Sequence, residues 1–203
     1  TGVAGGATAT EATQGSGVVT VNAESGAALS VVFTNGANTV TKTLTGTGAA
    51  QAVTLTSADL TTLGNGTISV SATATDAAGN TSSAGTTSFI LDTIAPTAPT
   101  AAPTVIGTIA SGISASEASS GFTVTASLGG TNAVAGDTIK LLINGGTTSL
   151  SATLSASDIT NATYTFTVTN TSITANSTNT FAAQVIDAAG NVGPSSSAIS
   201  LTY

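Results

Sequence analysis

Apolar residues recur at every second position in short runs along the whole chain, and a pattern of that period buries one face only as a β-strand. The first half carries Val19/Val21/Ala23, Leu29/Val31/Phe33, Val53/Leu55, Ile68/Val70/Ala72/Ala74 and Phe89/Leu91. The second carries Phe122/Val124/Ala126/Leu128, Ile139/Leu141/Ile143, Leu150/Ala152/Leu154, Tyr164/Phe166/Val168, Phe181/Ala183/Val185 and Ile199/Leu201/Tyr203. Asn35-Gly36, Asn65-Gly66 and Asn144-Gly145 fall between runs, where Asn and Gly supply the positive φ of tight turns. Helical spacing extends no further than one turn at residues 57–63, SADLTTL. The residue supply agrees: Thr and Val favour a pleated surface, and Leu, Glu and Lys are scarce. Disorder requires low hydropathy with high charge, whereas mean hydropathy is +0.40 and 5% of residues are charged.

The two halves repeat one another. DAAGN stands at residues 76–80 and 187–191, SADL at 57–60 answers SASDI at 155–159, and TEATQGSGVVTV from Thr10 answers SEASSGFTVTA from Ser116. The order is kept while the offsets between matches vary over about 106, 99 and 111 residues, as in a duplicated domain with variable loops. Pro96, Pro99 and Pro103 cluster in DTIAPTAPTAAP between the copies. Proline fixes φ and biases the preceding residue toward extended backbone, which predicts a stiff joint outside any sheet interior. The expected organisation is two domains, 1–95 and 96–203, with a linker at about 92–103. Each holds about seven short strands in roughly 100 residues, the pattern of an all-β, immunoglobulin-like (Ig-like) antiparallel β-sandwich.

Composition removes many chemistries. The 203 residues include no His, no Cys and no Arg, two Lys and nine acids, for a formal charge of −7. Without imidazole or thiol, most routes to general-base, covalent and zinc catalysis are closed. Nucleic acid and anionic lipid are poor partners for so acidic a chain. No run reaches the ~18 to 20 apolar residues of a membrane helix, and the opening TGVAGGATAT lacks both an initiator Met and a basic leader, so the chain is expected to be an internal piece of a longer protein. A glycosidase needs two acids about 5 to 10 Å apart in one cleft, normally with aromatic platforms. Here Trp is absent and the acids recur in both halves, so the reading is non-enzymatic.

The EA-x-x-G opening at Glu11 and Glu117, DAAGN in both halves and the DTIAPTAP joint together resemble the tandem bacterial Ig-like repeats of giant cell-surface adhesins, of biofilm-associated and RTX type. The resemblance spans nearly the whole chain. It implies an extracellular stalk, or extender, at the bacterial cell surface, flanked by neighbouring Ig-like domains of one longer chain and serving cell adhesion. It also implies calcium at the joints between domains. Two departures bear on that: the chain has fewer acids than many such repeats, and the second copy ends ISLTY where the first reads FILDT.

Only carboxylates can supply a site. Glu11 pairs with Glu117, Asp59 with Asp158, Asp76 with Asp187, and Glu24 with Asp137 by approximate position; Asp92 has no partner because Tyr203 takes its place. Asp76 and Asp187 have two readings. One is a turn, with Asp accepting backbone N–H groups and Gly79 or Gly190 at positive φ. The other is calcium: in an Ig-like topology Asp92, Asp137 and Asp187 converge at the inter-domain junction, where hard oxygen donors suit an ion taking about six to eight ligands. Glu24 and Asp76 form the corresponding half-site at the N-terminal pole. Glu11 and Glu117 are read as caps of a turn, and Asp59 and Asp158 as caps of a short helical turn.

A rival of a different class is a self-assembling surface-layer (S-layer) or filament subunit whose domains pack laterally, since few charges guard the strand edges. A third option, a ligand-binding tip, has one candidate, the segment NTSITANS between Val168 and Phe181. The sequons at Asn65, Asn80, Asn161, Asn170 and Asn176 carry no information in so Ser/Thr-rich a chain.

Overall fold

A computed structural model describes residues 6–106, 112–146 and 148–203. The chain divides into two compact units, Thr1–Ile94 and Ala95–Tyr203, each a β-sandwich of two antiparallel sheets.

Unit 1 runs α1 (Ala9–Thr13), β1 (Val19–Val21), β2 (Ala28–Asn35), β3 (Asn38–Thr45), β4 (Gln51–Val53), α2 (Ser57–Leu63), β5 (Gly66–Thr75) and β6 (Gly85–Leu91). One sheet is β1-β4, the other β3-β2-β5-β6. The alternating faces of β2 and β5 put Val31, Phe33, Ile68 and Val70 into a core shared with Val53, Leu55 and Leu63, and burying each large side chain stabilises the fold by about 1.5–3 kcal/mol. Phe33 meets Phe89 edge to face at 6.5 Å. β3 is absent from the sequence reading, because along it only Val40 is buried and the alternation is nearly lost.

Unit 2 runs β7 (Thr104–Val105), α3 (Ala115–Ser120), β8 (Phe122–Ser127), β9 (Thr138–Ile143), a 3-10 turn at Asn144–Gly146, β10 (Thr148–Thr153), α4 (Ala156–Asn161), β11 (Thr163–Val168), β12 (Thr178–Ile186) and β13 (Ile199–Thr202). Its sheets are β11-β8-β7 and β10-β9-β12-β13. Ile139, Leu141, Ile143, Phe166, Phe181 and Val185 fill the core, with Phe122 edge-on to Phe181 at 6.2 Å. No helix among the described residues is long and apolar enough to cross a membrane.

Ladder register aligns the units residue by residue and corrects three sequence matches. Ala28 opposes Thr75 as Thr138 opposes Ile186, so Ala28 matches Thr138 and Asp76 matches Asp187. SADL and SASDI are not equivalent: α2 follows β4, the partner of β1, whereas α4 precedes β11, the partner of β8. The unit 2 counterpart of α2 is NTSITANS itself, with Ile173 buried in the core; it is a shared connection and not an insertion. Tyr203 matches Leu91 and not Asp92, since Ala7 N–H donates to Ile90 O as Ile113 N–H donates to Thr202 O.

The proline segment, expected as a stiff joint outside any sheet interior, packs within unit 2. Pro96, Pro99 and Pro103 are buried within unit 2, and Thr97 and Thr100 N–H groups donate to Thr131 and Gly129 carbonyls. Having no N–H to satisfy, proline can be buried at a sheet margin without an unpaired donor. The close approach demands glycine opposite: a Cβ on Gly193 would lie 2.5 Å from the Pro96 carbonyl oxygen.

Candidate functional site

The acids that matter sit where β9 and β12 begin and end. Extending the β9–β12 ladder one residue past Thr138 and Ile186 sets Asp137 opposite Asp187. Asp137 is only 3% exposed. Its Oδ2 accepts from Val134 N–H at 2.9 Å and its Oδ1 from Ala188 N–H at 3.1 Å, so one carboxylate ties the loop entering β9 to the loop leaving β12. Asp187 closes its own loop: Oδ1 accepts from Gly190 and Asn191 N–H, both at 2.8 Å, and Oδ2 from Asn191 Nδ2 at 2.9 Å. Gly190 takes φ 102° to turn these donors inward.

The same turn recurs in unit 1, where Asp76 accepts from Ala78 N–H, Asn80 N–H and Asn80 Nδ2 at 2.8 to 2.9 Å and Gly79 has φ 91°. The Asn80 side-chain amide, followed by its backbone N–H, holds the Asp76 carboxyl below the usual range. DAAGN is therefore an Asp-closed turn in both units. A carboxylate has about four lone-pair sites. The bonds above use two at Asp137 and three at Asp187, which leaves acceptor capacity on both for a hard cation but far from a full coordination shell.

Glu24 does not occupy the place of Asp137. Ala27 does, at 2% exposure: Ala27 N–H donates to Glu24 O as Asp137 N–H donates to Val134 O, each at 3.2 Å. Glu24 therefore matches Val134, and its side chain is exposed. Asp76 thus has no carboxylate at the equivalent cross-strand position. Asp92 follows β6 in unit 1; its Oδ1 accepts from Asn65 Nδ2 and Ile94 N–H, both at 3.2 Å. Asn65 Oδ1 in turn accepts from Thr93 N–H and Thr93 Oγ1. Asn65 was legible only as a turn residue, because its partners, at the end of the neighbouring strand, are 27 and 28 residues away in sequence.

The remaining acids are structural. Glu11, Asp59, Glu117 and Asp158 each close a capping box with Thr8, Thr56, Ser114 and Ser155 at the starts of α1, α2, α3 and α4. Asp59 also pairs with Lys42 on β3; burial pushes its carboxyl up, but the bonds from Lys42 and Thr56 outweigh this and hold it below the usual range. The Ser155 hydroxyl and N–H hold Asp158 low. Among the described residues no three His, Cys, Asp or Glu side chains gather into a metal-binding group.

No family model and no curated protein matches the chain. Among solved structures, it is similar to one described as a Ca2+-stabilized adhesin that helps an Antarctic bacterium reach out and bind ice, at 28% identity over 93% of this chain and 44% of that one, with a TM-score of 0.44. A 1.5-MDa bacterial ice-binding adhesin shares 24% identity over 93% of this chain and 58% of that one, TM-score 0.37. A tetra-tandem repeat from the extending region of a large adhesion protein shares 22% over 89% and 43%, TM-score 0.34. The chain thus spans about half the length of the structures it matches first. With every TM-score below 0.5, these likenesses carry no weight for the site.

Proposed function

We propose that the chain is a non-enzymatic extender segment of a bacterial surface adhesin, in which the joint between its two sandwiches is stiffened by calcium. The supporting observation is the buried Asp137 set opposite Asp187 at the pole where the chain enters unit 2. Pro96 lies against Gly193 in the same loop region as Asp187. The chain between Asp92 and Pro96 can span at most roughly 14 Å when extended. A calcium ion there would take oxygens from Asp137 and Asp187, with Asp92 and backbone carbonyls completing the shell. Fixing the joint converts a flexible string of domains into a rod. Unit 1 offers a poorer counterpart, since Ala27 replaces the buried acid and Glu24, three residues before it, is exposed.

Small-angle scattering and thermal melting of the whole chain, in calcium and in excess chelator, test this. Calcium at 100 times its Kd should stabilise the folded chain by about 2.7 kcal/mol and remove bending from the scattering curve, and Asp137→Asn should weaken both responses. Identical curves with and without chelator would rule out the calcium joint. The lateral-assembly reading draws on β10, an edge strand, Thr148–Thr153, that bears no charge; it would show instead as large particles whose size grows with concentration.

A further inference from the structure

The two units differ on one flank. In unit 2, β7 pairs with β8, Thr104 opposite Thr125 and Val105 opposite Val124, and Val105 packs on the core. In unit 1 the matching sheet holds only β1 and β4, so β1 has a free edge among the described residues.

The consequence is visible in the core. Val124, Ala126, Ala183 and Val185 are all 0% exposed. Their register counterparts in unit 1, Val21, Ala23, Ala72 and Ala74, are each only partly buried. Between the β1 edge and β6 lies a groove of about 440 Å³, whose apolar floor includes Val19, Val21, Leu29, Val70 and Ala72. It lies on the side of the sandwich that β7 covers in unit 2.

We propose that this groove receives an extended strand of the Pro96–Val105 kind, added antiparallel to β1, and that unit 1 completes its sandwich only with that strand in place. The occupant is specified by chemistry. It must be uncharged, because no charged side chain lines the groove. It must place a β-branched apolar residue opposite Val21, as Val105 stands opposite Val124. It must offer N–H and C=O groups to the free edge, while prolines beyond the paired residues hold it extended before binding. The segment at residues 95–106, APTAPTAAPTVI, meets all three requirements. The proposal is independent of calcium.

Because Ala7 matches Ile113, placing a copy of residues 95–106 directly ahead of Thr1 in the full chain reproduces the spacing from Val105 to Ile113. In that fusion, hydrogen exchange of the backbone amides across Val19–Asn22 should slow by roughly tenfold or more, and a Val105→Asp change in the added copy should restore the original rates. Register is checked independently. The chain has no Cys, so Asn22→Cys combined with Thr104→Cys in the added copy should oxidise to a disulfide, whereas Thr20→Cys, which the register sets off from that position, should not. Unchanged exchange, or equal crosslinking at both positions, would overturn the proposal. So would slow exchange in the parent chain accompanied by dimers in sedimentation, which would assign the edge to a second copy.

Discussion

Asp137→Ala separates a structural role from a calcium role, and its size follows from two hydrogen bonds. The carboxylate is 3% exposed and accepts from Val134 N–H and Ala188 N–H. Removing it costs two part-buried hydrogen bonds to a charged acceptor, which contribute about 1.5–3 kcal/mol each. Steric strain adds nothing, because Ala27 already occupies the matching position in unit 1. The carboxylate's own desolvation is relieved, which offsets part of the loss. A net destabilisation of about 2–4 kcal/mol is expected, a shift of order 10–20 °C in the melting of a unit this size. Urea unfolding of the full chain in excess chelator, followed by far-UV circular dichroism, measures it without any contribution from metal. Asp137→Asn, which keeps one acceptor oxygen, should fall between Ala and the parent. If Asp137→Ala melts with the parent in chelator and differs from it only in calcium, the two backbone bonds do not stabilise unit 2 and the structural account of this carboxylate is wrong.

Acid should destabilise the chain through Asp59, Asp76 and Asp158, whose folded pKa values lie below the ordinary carboxylate value. A depressed folded pKa gives stability that is complete above the unfolded value near 3.9 and is lost as pH falls through the folded values. Urea midpoints should therefore be flat near neutrality and drop below about pH 4; Lys42→Met should lower the unfolding free energy at neutral pH by less than about 1 kcal/mol and reduce the acid-dependent loss, and an unchanged acid limb would exclude the Lys42–Asp59 contribution. In the core, Phe181→Ala should cost about 3–5 kcal/mol, because Phe181 is fully buried and edge-on to Phe122; a loss under 1 kcal/mol, read by thermal melting, would contradict the packing described for unit 2.

The sequence by itself determined what depends on neighbours a few residues apart. The Asp76 and Asp187 turns, the caps at Glu11 and Glu117, and the helical turns at Asp59 and Asp158 are all bonds across two to four positions, so the order of residues nearly specifies them. Strand alternation was equally readable wherever one face is fully buried, as in β2, β9 and β12. It failed on β3, where an exposed edge relaxes the pattern, and on β7, which is too short to show a period. Tertiary structure alone decided the rest, because register between strands far apart in the chain is fixed by shared burial of both sheets. Register put Ala27 rather than Glu24 in the place of Asp137, gave α2 and α4 different topological positions, matched Tyr203 with Leu91, and buried the prolines against unit 2. Each of these turns on which side chains share one interior, a quantity that local spacing does not encode.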